Sequence, residues 1–445
     1  MREYNFDGLV GPTHNYAGLS PGNVASQAHA GQPANPRRAA LQGIEKMRFV
    51  ARLGVGQAVL PPQERPHLQT LRRLGFRGTD ERAIAAAAHA EPGGLLLRLC
   101  TSAAAMWAAN AATCVPSSDS ADGRLHLVPA NLASMFHRAL EAEATTRLFR
   151  RIFQDEERFA VHDPLPGGAH FGDEGAANHT RLSVAGGPAV HLFAWGRRAF
   201  GGAPPAGEPA RHPARQTLEA SRALARLGQV AAPRALFPQQ HPRGIDAGAF
   251  HTDVLAVGND GVLLLHELAF VEPEALLSEL KALLSGRLAV VLATEEELPV
   301  AAAVAAYPFN SQLLTLPDGE MRILAPEESR EDPHARAYFA RVIAAENPVR
   351  EVHYLPLRDS MQNGGGPACL RQRIRMTDAE RAAVRARVFV DDALANELSA
   401  WVVRHYRESI TLDDLRDPLL HREQMAALDE LTRILKVGSL YDFQR

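Results

Sequence analysis

Four side chains in this sequence have the types and settings for covalent chemistry: Cys369, His251, Glu174 and Asp253. Cys369 closes the run Asp359-Ser-Met-Gln-Asn-Gly-Gly-Gly-Pro-Ala-Cys. Its three consecutive glycines open backbone conformations closed to other residues, and Pro367 fixes the turn that follows. The residues after it, Leu-Arg-Gln-Arg-Ile-Arg, alternate as a strand does. A thiol on a rigid loop with backbone N–H groups facing a ligand is how a nucleophile is presented. A glycine-rich surface turn ahead of a buried, inert cysteine reads the same way. His251 and Asp253 lie two apart in Ala249-Phe-His-Thr-Asp-Val-Leu-Ala-Val257, which reads as a strand and so points both to one face. Among apolar neighbours they must be paired with each other or put to use. Phe171-Gly-Asp-Glu-Gly-Ala-Ala-Asn-His179 sets Asp173 and Glu174 between glycines, as an exposed turn or as a site wall where a carboxylate meets a cation.

A thiol with an imidazole points to nucleophilic catalysis at a planar carbon. The order Glu, His, Cys is not that of a papain-like protease, and no Cys-Gly-Ser-Cys-Trp signature is present. Carboxylates near a thiol raise its pKa, which is a handicap unless the substrate carries positive charge. A guanidinium fits, being planar and forked to match carboxylate oxygens. Candidate receivers for an anionic end lie elsewhere. The loop Ala17, Gly18, Leu19, Ser20, Pro21, Gly22, Asn23, Val24, Ala25, Ser26 offers small residues, exposed N–H groups and the Ser20 hydroxyl, or is a plain surface loop. His137 and Arg138 open a helix predicted to run from Phe136 to about Phe153, and Arg215 begins another; solvated helix ends look no different. Asn110, polar within an alanine-rich stretch at 102–112, needs a partner if buried, which tight helix packing or a pocket floor would each supply.

The 445 residues call for two or three domains or one large domain built from repeats. A net charge of -3 and the lack of like-charge runs argue against a nucleic-acid partner, and no apolar stretch is long enough to span a bilayer. Three cysteines, Cys100, Cys114 and Cys369, fit a reducing compartment, so a cytoplasmic location is expected. No zinc spacing and no phosphate-cradling glycine motif occurs, so neither metal nor cofactor is expected. Strands alternate with helices along the chain, which implies α/β layering. Strand-like runs are expected at 307–315 and 321–325 and a helix at about 331–346. Short apolar strands end in proline five times, at Pro61, Pro129, Pro238, Pro326 and Pro356, with irregular spacing that alone is weak ground for a five-unit fold. Residues 197–213, rich in Pro and Gly, read as a mobile surface insertion.

Five segments together resemble the N-succinylarginine dihydrolase family: Phe-Asp-Gly-Leu-Val-Gly-Pro-Thr-His-Asn-Tyr-Ala-Gly-Leu-Ser from residue 6, Gly-Asp-Glu-Gly-Ala-Ala-Asn-His from 172, Pro-Ala-Arg-Gln-Thr from 213, Phe-His-Thr-Asp-Val from 250 and Asn-Gly-Gly-Gly-Pro-Ala-Cys-Leu-Arg from 363. That family is related to arginine deiminase and the amidinotransferases in the guanidino-group-modifying superfamily. The resemblance runs from residue 5 to the C-terminal Tyr-Asp-Phe-Gln-Arg. It implies one catalytic domain over residues 1–445, a five-bladed pseudosymmetric α/β propeller of ββαβ-like units around a central active site. It also implies a homodimer without metal. It makes Cys369 the nucleophile, His251 the acid/base and Glu174 the third catalytic residue. Substrate contacts fall to Ala17 through Ser26, Asn110, His137, Arg138, Arg215, Asp253 and Asn363. The expected reaction takes N-succinylarginine to N-succinylornithine, two ammonia and carbon dioxide. A single-round deiminase, an amidinotransferase and a catalytically silent guanidinium binder stay open on the residues alone.

Overall fold

A computed structural model describes residues 1–445. Its strands form five three-stranded sheets of one topology, in which an antiparallel pair is followed by a strand parallel to the second. The parallel step requires a crossover, and each sheet has a connecting segment to provide it. In the second unit, β3 (Ala112–Val115) pairs antiparallel with β4 (Leu125–Pro129), and β4 parallel with β5 (Phe159–Val161). The third uses β6 (His179–Leu182), β7 (Val190–Phe193) and the short β8 (Ala235–Leu236). The fourth uses β9 (Ala256–Asn259), β10 (Val262–His266) and β11 (Ala289–Ala293), and the fifth β12 (Gln312–Thr315), β13 (Met321–Pro326) and β14 (Val349–Leu355).

The first unit joins strands far apart in the chain. β1 (Arg2–Gly8) pairs with β2 (Gly56–Leu60) and, antiparallel, with β15 (Arg371–Met376), from Arg2 opposite Met376 to Asp7 opposite Arg371. Leading strands of different units adjoin: β15 packs on β3, β6 on β9 and β9 on β12. Arg373 of β15 donates to the carbonyl oxygens of Gly258 at 2.8 Å and Leu313 at 2.6 Å, tying the first unit to the fourth and fifth. The result is a five-unit, propeller-like α/β architecture. No helix is long and apolar enough to cross a membrane.

Local sequence explains these elements. The crossover helix of the first unit, α1 (Pro36–Arg52), starts where the Asn35 side chain accepts from the Arg38 amide and Pro36 takes the first turn. Ala40, Ile44, Met47 and Val50 fall at helical spacing and are buried. Lys46 shares that buried face and pairs with Asp7 of β1. Two further helices, α2 (Asp392–His405) and α3 (Pro418–Leu435), pack Leu398, Trp401, Leu428 and Leu431 into the same core as β1 and β15. A second large core fills the fourth and fifth units.

Several elements differ from the sequence reading. The segment 249–257 is not one strand: Thr252–Val254 is a 3₁₀ turn and β9 begins at Ala256. The Thr252 amide and hydroxyl both donate to Asn178 Oδ1, at 2.8 and 2.9 Å, which draws the backbone out of a sheet ladder. The helix expected from Phe136 is broken at Leu140 into Phe136–Ala139 and Glu141–Ile152. Of 307–315 only Gln312–Thr315 is strand, because Tyr307 takes a left-handed conformation that ends the preceding helix. The helix placed at 331–346 is Pro333–Ala344, preceded by the separate turn Glu327–Glu331. Apart from these differences, carboxylates bind amides at both ends of segment 197–213, Glu219 accepting from those of Ala199 and Phe200 and Asp246 from those of Ala210, Arg211 and His212.

Candidate active site

The thiol loop lies between the short helix Arg358–Gln362 and β15. Gly364 has φ 95°, and a Cβ there would sit 2.2 Å from the Asn23 side chain, which donates to the Gly364 carbonyl at 3.0 Å. A Cβ on Gly365 would meet the Trp107 ring at 2.5 Å. The glycine run therefore serves close approach of two other segments. Cys369 is buried, and its amide donates to the Gly366 carbonyl at 3.1 Å and to Asn310 Oδ1 at 3.3 Å.

His251 precedes the 3₁₀ turn, Asp253 lies within it, and the two face different partners. His251 Nε2 lies 2.7 Å from Glu174 Oε2, both side chains fully buried. A carboxylate only accepts, so Nε2 carries the proton and Nδ1 is the basic nitrogen. Asp253 instead lies against the thiol, with Oδ2 3.9 Å from Cys369 Sγ, and its Oδ1 is buried without a hydrogen-bond partner. The expected pairing of His251 with Asp253 is thus replaced by two separate pairs.

Glu174 is fixed from several sides. Its amide donates to Gln216 Oε1 at 2.7 Å, its carbonyl accepts from Asn110 Nδ2 at 2.8 Å, and Arg215 Nη1 stands 3.8 Å from Oε2. Arg215 lies over the Phe250 ring at 4.5 Å and donates to the Pro21 carbonyl at 3.0 Å, so it touches the 17–26 loop directly. Arg138 forms a bidentate pair with Glu141, at 2.7 and 3.2 Å, and its Nη1 reaches Asn110 Oδ1 at 3.4 Å. His137 Nε2 is 3.3 Å from the Ser20 hydroxyl. Asn363 is buried with its amide against the Met106 sulfur, at 3.9 Å.

One cleft collects Ala17, Gly18, Leu19, Ser20, Asn23, Ser26, Asn110, His137, Arg138, Arg215, His251, Asn363 and Cys369. Asn110 is on its floor, in a 3₁₀ turn. Glu174 and Asp253 stand behind it, the first reached through His251 and the second beside the thiol. Four loop residues do not line it. Pro21 gives its carbonyl to Arg215, Gly22 abuts His212, and Ala25 accepts from its neighbour His29. Val24 is 54% exposed to solvent. Sequence reasoning missed Asn310, Gln216, Trp107 and Phe250. Gln216 and Phe250 neighbour residues singled out for charge, but Asn310 follows Tyr-Pro-Phe in a stretch with no chemical signature.

Burial sets the charge states. It pushes the Cys369 thiol well above the ordinary range, and Asp253 adds to that, while Asn310 and Arg138 pull the other way. Burial likewise raises Asp253 to about 7, against the opposing pull of Arg371. Burial alone would raise Glu174, but the His251 hydrogen bond and the Arg215 and Arg138 cations outweigh it and keep the carboxylate ionised. Burial lowers His251 against the opposite pull of Glu174, and it lowers His137 to about 3 with help from Arg138 and Arg215. Both imidazoles are neutral near pH 7. No cluster of His, Cys, Asp and Glu has the arrangement of a metal site. The thiol at the cleft thus has a carboxylate with an open acceptor behind it, and the cleft itself carries arginines and a hydroxyl suited to an anion.

Two solved structures share the fold. The N-terminal domain of ArgZ, an arginine dihydrolase from cyanobacteria crystallised with product, matches with TM-score 0.50 at 13% identity, over 84% of this chain and 98% of that one. An AgrE variant in binary complex with L-arginine matches with TM-score 0.50 at 13% identity, over 88% of this chain and 41% of that one. Sequence relationship goes further. The succinylarginine dihydrolase family model matches residues 1–444. N-succinylarginine dihydrolase of Myxococcus xanthus is 64% identical over 100% of both chains, and that of Aeromonas hydrophila 53% identical over 100% of this chain and 99% of its own. This chain belongs to the succinylarginine dihydrolase family.

Proposed function

We propose that the protein hydrolyses N-succinyl-L-arginine with two waters to N-succinyl-L-ornithine, two ammonia and carbon dioxide, through a covalent adduct on Cys369. The observation that carries this reading is the cleft in which the thiol lies 3.9 Å from Asp253 while Arg215, Arg138, His137 and Ser20 line the same space. Such a cleft matches a ligand with a guanidinium at one end and carboxylates at the other.

The charge states assign the order of events. In the free enzyme the thiol is protonated and Asp253 sits at the edge of ionisation. An entering guanidinium supplies the missing positive charge, so Asp253 ionises against it and the thiolate becomes accessible. The thiolate attacks the guanidinium carbon, forming a C–S bond. His251 takes up the proton lost by the thiol and delivers it to the leaving nitrogen, and ammonia departs as that C–N bond breaks. Water then adds to the same carbon, giving a proton to His251 Nδ1, and the C–S bond breaks to leave a ureido group. Glu174 acts through His251, holding its ring and stabilising the imidazolium.

In the second round the thiolate attacks the ureido carbon and the second ammonia leaves. Hydrolysis of that adduct yields a carbamate, which loses carbon dioxide to give the amine. The loop from Ala17 to Ser26, with Asn110 and Asn363, completes the substrate's surroundings. In this reading all five units form a single catalytic domain carrying 197–213 as a surface insertion. The family resemblance also supports a cytoplasmic homodimer without a cofactor, which sedimentation of the purified protein tests.

The deciding assay counts ammonia released per N-succinylarginine consumed, with arginine as the comparison substrate and Cys369→Ser as control. Two ammonia per substrate, absent from the serine variant and weak with arginine, is the expected result. One ammonia with a ureido product accumulating would make the protein a deiminase instead.

A further inference from the structure

We propose that Asn310 is the positioning residue that sets the Cys369 thiol against Asp253, an inference that rests on the reaction proposed above. Asn310 is fully buried, in the irregular stretch between Tyr307 and β12. Its Oδ1 accepts two hydrogen bonds from the thiol loop, from the Gly366 amide at 3.0 Å and the Cys369 amide at 3.3 Å. Its backbone carbonyl accepts a third, from the Ala368 amide at 3.0 Å. Its Nδ2 donates to the Asp253 carbonyl at 3.3 Å. One planar amide thus grips the nucleophile's own peptide with its oxygen and the carboxylate's residue with its nitrogen. The two segments lie 116 residues apart in sequence.

The chemistry of the group is specific. Asparagine accepts and donates from one rigid plane, whereas an ionised aspartate only accepts and alanine does neither. The close fit also assigns a reason for Gly366, because a Cβ there would lie 2.8 Å from Asn310 Oδ1. Other anchors of the loop do not involve Asn310. Ser360 Oγ donates to the Gly365 carbonyl at 2.7 Å, and Asn23 to the Gly364 carbonyl at 3.0 Å. Removing the amide therefore releases the Gly366 and Cys369 amides, while the Asn310 backbone carbonyl still holds Ala368 and the Ser360 and Asn23 contacts still hold Gly365 and Gly364. The Asn310 amide is also among the groups that draw the buried thiol toward its ionised form.

Asn310→Ala and Asn310→Asp test this against the wild type, with three readouts: steady-state ammonia release, thermal midpoint, and the pH dependence of Cys369 alkylation by iodoacetamide. Misplacing a reacting group by about 1 Å costs roughly 10²-fold, so kcat of the alanine variant should fall by about that factor while KM moves far less. Its alkylation profile should shift to higher pH, and that of the aspartate variant further still, since a second carboxylate then faces the thiol. An alanine variant with kcat near wild type would overturn the proposal. So would a loss of kcat with the alkylation profile unmoved, the mark of general destabilisation. If the alanine variant does not fold, the aspartate profile decides by the same criterion. The alkylation profile is independent of turnover. A wild type releasing no ammonia from N-succinylarginine would therefore refute the reaction while leaving the positioning role of Asn310 to stand or fall separately.

Discussion

Asp253 gives the sharpest test of how the cleft recognises its ligand. Burial lifts its carboxyl from the ordinary 3.8 to about 7, and Oδ1 has no hydrogen-bond partner. A guanidinium binds the ionised form, so below that pKa binding must first expel a proton. By linkage, affinity is then full above about pH 7 and falls about tenfold for each pH unit below it. At pH 5 only about 1% of the carboxyl is ionised, which predicts a Kd about 10²-fold weaker than the plateau. The measurement is titration calorimetry of N-succinylarginine into Cys369→Ser, which cannot turn over, between about pH 5 and pH 8. Repeating it in buffers of different ionisation enthalpy should show close to one proton released at pH 6. Adding Asp253→Asn should abolish the slope and leave binding uniformly weak, by about 10²-fold or more for loss of a buried charge partner. Asp173 is the control. Burial raises it to about 7 as well, but its Oδ1 is held by the Gly175 amide and Gln216, whereas Asp253 is the carboxylate 3.9 Å from the thiol, so Asp173→Asn should keep the slope. A pH-independent Kd in the parent, or a slope that survives Asp253→Asn, would refute the assignment.

Three further outcomes are expected. His251→Ala should lower kcat by about 10²–10⁴-fold, the usual worth of a general acid/base, while binding of N-succinylarginine to the variant stays near wild type. Arg215→Met should raise KM for N-succinylarginine by about 10²-fold and change KM for plain arginine little, if its cation meets the anionic end of the ligand as proposed. Gly365→Ala should cost about 1–3 kcal/mol of stability in denaturant titration, since its methyl would enter the space of the Trp107 ring.

How much of this could be read beforehand divides by kind of interaction. The thiol loop, the paired carboxylates and the loop at 17–26 stand out because glycine, proline and charged side chains mark special backbone and costly burial. Which carboxylate serves which partner was not legible. A period of two placed His251 and Asp253 on one face of a strand, whereas Asn178, over 70 residues earlier, bends that strand into a turn and sends them to different partners. Asn310 carries no local signal at all, since its role exists only once three distant segments meet. The five-unit architecture was visible through family resemblance alone. The proline-ended strands fall irregularly, and the leading strand of the first unit lies at the far end of the chain, where no local pattern could reveal its place.

That last feature has a consequence for synthesis. β15, which begins two residues after Cys369, pairs with β1 near the N-terminus, so the pairing that completes the first sheet also supports the thiol loop. As the chain leaves the ribosome, residues 2–8 must wait for residues 371–376 before their antiparallel partner exists, and contacts of such long separation form late. A nascent chain can carry the 17–26 loop, Glu174 and His251 and still have no reactive centre. On the proposed reaction, activity begins only once β15 has been made and paired with β1, so its appearance during translation or refolding works as a clock for that pairing.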